Sequence, residues 1–547
     1  MEQVRLTNFR KYDILEGMNL NDINIFVGKN NAGKSTVVKA VMLVLDNIRS
    51  LHWQNVPKEE GLCSMKYAPK PLFRFDANGF HNLHIGTFER AKCNFVDDKR
   101  ITIAIEYQGF EFEITVAGVA EDAQVAMPIE KLKITEPGHS VYDFDFSKMT
   151  MSFRLDEKLV NDDAAEQQKV IWWSQSELEQ LKEDLQDALA KGDALSIAEI
   201  QQKITKQKSH IAQLEKVSPA SEQKRTSSHA TFDLSYFHAY AGENILAQYL
   251  RTFTKMADTQ IVRQTGVGNV LTPATQLNKN SKEYKEELQK RQFVAENRKL
   301  IEDVADRLEQ VINNVNVEYI QAHAATQKLI LNADDRHDIN SRVVHEFFQE
   351  HILEGELVDQ WLNKWLRNFE VGERITIMPL DGEGYYVKVA TPYDEVHLAD
   401  MGMGSIQLVI LLLRLATIAN RIKNTGQPWW VIIEEPEQNM HPMLQSKLAD
   451  LLVDFQLSFP SKVIVETHSE YLVRRTQLMV AERNYDEEDL SQIWPVTVFY
   501  FPSERGRQPY DMEYQTNGLF AKKFDSGFFD EAGRMHMEIL KNSKKGR

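Results

Sequence analysis

Cysteine is nearly absent: Cys63 and Cys93 are the two in 547 residues. This excludes a disulfide scaffold and any zinc site built on cysteine pairs, and it fits a reducing cytoplasm. Long apolar runs are missing too. The opening MEQVRLTNFRKYD is charged within three residues and has no apolar core, so no signal peptide is expected. The most apolar stretch, 406–419, carries Arg414 and is shorter than the roughly 20 residues that span a bilayer. It is predicted to be a buried helix in a cytoplasmic protein with no membrane partner. Basic residues are outnumbered, 64 against 80, for a net charge of −16 at pH 7. That speaks against a surface coated all over by nucleic acid, but leaves room for a confined basic groove.

What is present is an ordinary globular composition, 42% hydrophobic and 26% charged. At roughly 100–200 residues per domain, the length predicts several modules. Residues 3–6 and 23–27 read as short strands, the second running into a glycine loop and a helix from Thr36 onward. ITIAIEY-QGF-EFEITV at 101–116 predicts a hairpin, and alternating segments at 131–135, 141–146 and 149–155 extend an antiparallel sheet. The period then changes. Leu178, Leu181, Leu185 and Ala188, then Ile197, Ile200, Ile204, Gln207, Ile211 and Leu214, keep 3-4 spacing on either side of Lys191-Gly192-Asp193. This predicts a short antiparallel coiled-coil hairpin, either packed on the body or acting as a docking arm. Residues 221–370 read as mainly helical, with a loop at 265–280. Strand patterns return at 374–392, where an Asp-Gly turn marks a hairpin, and then alternate with helices through PVTVFYF at 495–501. The expected division is 1–160, an N-terminal lobe; 161–220, the hairpin; 221–370, a helical insertion; and 371–547, a C-terminal lobe.

Four motifs carry chemistry. GKNNAGKS at 28–35 is a complete G-x-x-x-x-G-K-[ST] phosphate loop between strand and helix. The loop backbone from Gly28 through Asn30, Asn31 and Gly33 to Thr36 would cradle phosphates, Lys34 would reach their outer oxygens, and Ser35 would offer a hydroxyl to Mg²⁺. WWVIIEEPE ends an apolar strand in two carboxylates. Glu434 would belong to the Mg²⁺ shell, and Glu435 would orient and deprotonate a water attacking ATP. His468 ends the next strand, where a γ-phosphate contact would sit. Gly402, Gly404, Ser405 and Gln407, in DMGMGSIQ, open the buried helix with backbone donors suited to an anion. Each of the last three is weak alone: an acidic loop, a structural histidine and a tight turn are the bland alternatives.

Together the four resemble the ABC-type heads of the SMC/RecF/OLD superfamily, and within it the PtuA-type ATPases of Septu anti-phage systems, also found beside retrons. The opening VRLTNFRKY…LNDINIFVGKNNAGKST, the box EEPEQNMHP, DMGMGSIQLVILLL and YIQAHAATQKL carry the resemblance. It implies an α/β fold: a P-loop ATPase head split by a large, mainly helical insertion that contains the coiled-coil hairpin. It further implies Arg10 near the nucleotide, ATP and Mg²⁺ as cofactors, and head-to-head ATP-sandwich homo-oligomers in which Gly402–Ser405 close on the partner's phosphate loop. The implied partners are a separate HNH nuclease subunit of the PtuB type and, in the retron-associated form, a reverse transcriptase with multicopy single-stranded DNA. No nuclease site is expected in this chain. The alternatives are a RecF- or SMC-like repair ATPase, or an OLD-like ATPase acting directly on nucleic acid. Two departures stand: Glu434 replaces the usual aspartate, implying slow hydrolysis, and the signature is not LSGGQ.

Overall fold

The computed structural model describes residues 2–50, 63–64, 71–76, 85–118, 125–136, 140–155, 229–233, 238–239, 261–265, 268–272, 282–321, 327–332, 334–335, 338–483, 485, 490, 493–526 and 528–545. The coiled-coil hairpin expected at 161–220 lies outside them.

A six-stranded sheet organises the chain. Its order is Val317–Ile320, Trp429–Glu434, Ser461–Glu466, Ile23–Gly28, Val496–Phe501 and Tyr510–Asp511. The first five are parallel and the last is antiparallel. These strands read as continuous apolar runs because both faces are covered. Alternation divides the run between two cores. Ile23, Ile25, Val27, Val431, Ile433, Val463 and Val465 point to one side, and Phe26, Trp430, Ile432 and Ile464 to the other.

On the second side lies helix Lys34–Ser50, buried around nearly its whole circumference from Thr36 to Ile48. Its outer face meets a nine-stranded, largely antiparallel sheet. That sheet runs in order from His229–Asp233 through Thr150–Leu155, Ser140–Asp145, Ala126–Glu136, Phe110–Ala117, Arg100–Tyr107 and Glu2–Phe9 to Tyr12–Leu20, with Leu72–Arg74 on a branch. The hairpin expected at 101–116 is there, paired Arg100↔Ala117 through Tyr107↔Phe110. The first strand therefore joins one sheet, while the third starts the phosphate loop in the other.

The opposite side is covered by helix Met403–Thr425. Among the described residues it is the one helix long and apolar enough to cross a membrane, yet it is mostly buried. It packs between the parallel sheet and helices Ile339–Gln349 and Leu357–Asn368. Its interior cation, Arg414, is bonded to Glu318 of the edge strand. The Asp-Gly hairpin forms between Arg374–Leu380 and Gly384–Ala390, with Asp381 and Gly382 at positive φ (40° and 86°).

Two segments differ from expectation. Residues 261–265 and 268–272 pair as strands rather than forming a loop, since β-branched residues flank the glycines. The stretch 221–370 contains helices, but also Val317–Ile320, which forms the edge of the parallel sheet by pairing with Trp429–Glu434. Four residues are too few to show a period; the partner strand makes them a strand.

Candidate functional site

The carboxyl ends of the parallel strands converge at one edge, where open α/β sheets bind ligands. Gly28 ends one strand, Glu434 the second and Glu466 the third, with Glu434 and Glu466 in direct register. Gly28 and Gly33 are required by close approach. A Cβ on Gly28 would lie 2.5 Å from the Phe501 carbonyl oxygen, and one on Gly33, at φ 108°, 2.5 Å from the Tyr12 hydroxyl. Asn31 is left-handed, at φ 61°, which turns the loop into the helix.

Lys34 is 3% exposed. Its ammonium donates to the carbonyls of Gly28 (3.0 Å) and Lys29 (3.2 Å). It stands 3.7 Å from Glu466 and 3.4 Å from His468 Nε2. Burial lowers its pKa, opposed chiefly by Glu466. The Ser35 hydroxyl donates to Glu466 Oε1 at 2.8 Å. Burial raises the Glu466 carboxyl, with Lys34 pulling the other way. Its second oxygen, Oε2, is buried and has no hydrogen-bond partner among the described residues. Thr36 is buried behind the loop, its amide on the Gly33 carbonyl (3.1 Å), and Asn30 is exposed on the crest.

The carboxylate strand ends sharply. Glu435 is left-handed, at φ 42°, and its amide donates to the Glu466 carbonyl at 2.7 Å. Its carboxylate accepts from Gln438 Nε2 at 2.6 Å and lies 3.7 Å from His468 Nε2. Burial, then Lys34, lower the His468 pKa; Glu435 raises it. The His468 amide donates to Glu437 Oε1 at 2.7 Å, fixing the histidine's backbone against the acidic box. Tyr319 from the edge strand stands near Glu434, and burial, then that carboxylate, raise the phenol's pKa.

Beside the loop opens a cavity of about 360 Å³. Arg10, Lys11, Lys34, Arg90 and Lys92 contribute to its wall against one carboxylate, Glu466. Arg10 is left-handed, at φ 51°, its amide tied to the Ala91 carbonyl (2.7 Å), and burial and Arg90 lower its pKa. Such a basic hollow on a phosphate loop fits a polyphosphate.

Of the residues singled out from sequence, Arg10, Asn31, Gly33, Lys34, Ser35 and Thr36 line this cavity, and Glu435 and His468 stand at its edge. Gly402, Gly404 and Ser405 do not line it. They begin helix Met403–Thr425, with Gly404 pressed on the Asn439 backbone and Gln407 accepting from Asn439 Nδ2 at 3.1 Å. Four participants escaped sequence reasoning: Lys11, Arg90, Lys92 and Glu466. Glu466 carried a signal, since it ends an apolar strand as Glu434 does. Arg90 and Lys92 come from a short segment with no motif.

The sequence model of a family described as AAA ATPase domain matches residues 1–473. No curated protein matches the chain. Among solved structures, similarity is found to the Smc head domain with an extended coiled coil bound to the C-terminal domain of ScpA, from Pyrococcus furiosus. Identity is 11%, covering 99% of this chain and 100% of that one, with a TM-score of 0.31. The SMC head domain from Thermotoga maritima is 10% identical, covering 93% and 98%, at 0.30.

Proposed function

The chain belongs to the AAA ATPase domain family, and on that premise we propose that it binds and slowly hydrolyses ATP as the regulatory subunit of a bacterial anti-phage defence complex. The observation that carries the ATPase reading is the meeting of Lys34, Ser35, Glu435, Glu466 and His468 within hydrogen-bonding or ion-pair distances at one sheet edge. Lys34 and the loop amides bind and orient the phosphates. Glu435, held by Gln438, positions water and takes its proton, while His468, with its lowered pKa, offers a neutral imidazole toward the γ-phosphate.

The donor set suits a hard cation. The Ser35 hydroxyl, the buried Glu466 Oε2 and the Glu434 carboxylate are all oxygen donors in one corner. Among the described residues no three His, Cys, Asp or Glu side chains are grouped to hold a metal by themselves. Phosphate oxygens would have to complete the shell, as is usual for Mg²⁺. Mg²⁺ held there neutralises charge on the phosphates.

Gly402, Gly404 and Ser405 stand outside their own chain's phosphate cavity, which supports a sandwich in which a second copy supplies them. In this reading 1–160 and 371–547 form the two lobes of the head, with 161–220 as a hairpin and 221–370 as an insertion that lends one strand to the sheet. The defence assignment rests on EEPEQNMHP, DMGMGSIQLVILLL and YIQAHAATQKL, which resemble PtuA-type ATPases. It places the cutting chemistry in a separate HNH chain, in the cytoplasm. Glu435→Gln tests the ATPase reading: nucleotide binding is retained and turnover falls by about 10²–10⁴. Unchanged turnover removes Glu435 from the chemistry. Co-purification with an HNH protein encoded alongside tests the defence reading.

A further inference from the structure

A second cavity, of about 250 Å³, lies between strand Val317–Ile320 and helices Ile339–Gln349 and Met403–Thr425. It shares no lining residue with the phosphate-loop cavity. Arg414 projects into it from the middle of the long helix, 6% exposed. One guanidinium nitrogen, Nη2, is bonded to Glu318, whereas Nε and Nη1 are buried with no hydrogen-bond partner among the described residues. Burial and the nearby Arg421 lower its pKa to about 10, so it is charged at neutral pH. A buried cation with two unused donor atoms is costly unless something accepts from them.

The acidic groups on the wall are already engaged. Glu346 serves both Arg342 (3.8 Å) and Arg421 (3.6 Å), and Glu434 stands near the Tyr319 phenol. Arg421 is further taken up by Glu350 at 2.7 Å. The unused donor atoms of Arg414 are therefore not answered by the carboxylates of the wall. Ile339, Ile410 and Leu411 make the remaining wall apolar. The volume equals that of about eight waters, enough for a small molecule.

We propose that this cavity binds a small organic anion, its carboxylate or phosphate group accepting from Nη1 of Arg414 and its short apolar body against Ile339, Ile410 and Leu411. A charged Nη1 amino group on a buried guanidinium suits either head group. Gln407 and Glu434 also line the cavity, so the occupant would touch both the start of the signature helix and the acidic box of the first site. Binding itself needs nothing from the ATPase reading.

The test uses the full-length chain carrying Lys34→Ala, which weakens anion binding at the phosphate loop. Inorganic phosphate, isovalerate and the uncharged isovaleramide are added in thermal melts at millimolar concentration. One of the two anions raises the melting temperature by about 2 °C or more, and the amide does not. The shift disappears in Arg414→Met/Glu318→Gln, which removes both charges together so that neither is left unpaired. Gln321→Trp, which fills the cavity from a half-buried position and leaves Arg414 in place, also removes it and serves as the decisive variant if the double substitution does not fold. No shift with either anion overturns the proposal. So does a shift that survives in a folded Arg414 variant.

Discussion

Ser35 Oγ donates to Glu466 Oε1 at 2.8 Å, and the same carboxylate oxygen stands 3.7 Å from Lys34 Nζ. One acidic side chain thus engages both phosphate-loop side chains that would handle the cation and the outer phosphates. Glu466 is the residue that nucleotide must rearrange around.

If Glu466 belongs to the cation's shell, Glu466→Gln keeps the hydrogen bond from Ser35 but loses the charge. The Mg²⁺ concentration for half-maximal turnover then rises about tenfold or more. Metal-free ATP binding holds or strengthens, because a negative charge has left the phosphate pocket. ATPase rates across a Mg²⁺ titration, with nucleotide binding measured in chelator, check both halves. An unchanged Mg²⁺ requirement takes Glu466 out of the shell.

The position of Ser405 gives a complementation experiment. If a second copy supplies Ser405 to the phosphate loop, Lys34→Ala removes one half of the composite site and Ser405→Arg the other, so each variant alone is inactive. Mixed in equal amounts they form dimers with one intact site of two in half of the population. Turnover of about a quarter of the wild-type value is expected. No recovery on mixing, with both variants folded and dimerising, means that Ser405 acts within its own chain.

How much of this was legible in the sequence follows from how locally each feature is encoded. The phosphate loop and the box ending at Glu434 and Glu435 are contiguous, and each sits at the end of an apolar strand, so both could be read directly. Helix Met403–Thr425 was legible because an almost unbroken apolar run leaves no solvent face. Glu466 was visible as a residue but not as a participant, because its role comes from register: it pairs beside Glu434 on one side and Phe26 on the other. Arg90 and Lys92 reach the cavity only because the nine-stranded sheet folds back over the helix. Val317–Ile320 is specified by its partner strand rather than by its own pattern.

Gly404 tests the coupling between helix and acidic box. A Cβ there would stand 2.4 Å from the Asn439 carbonyl oxygen, a backbone atom that cannot swing aside. Gly404→Ala should cost about 1–3 kcal/mol in denaturant melts. The strain is relieved by shifting the 435–440 turn, so turnover drops more than nucleotide affinity. Equal stability and turnover would show that the helix start has slack against the turn.

The bond between Arg414 and Glu318 fastens the edge strand to the buried helix, and its two ends predict unequal effects. Arg414→Met alone leaves a carboxylate in a largely buried site with no cation. The expected loss is about 3–5 kcal/mol, read from urea unfolding. Adding Glu318→Gln removes that stranded charge, so the double variant recovers most of the loss. Glu318 neighbours Tyr319, whose phenol stands near Glu434, so the single variant also slackens the acidic box and lowers turnover, while the double restores it in part. A double variant as unstable as the single one would mean that packing of the Arg414 stem, rather than its charge, holds the strand.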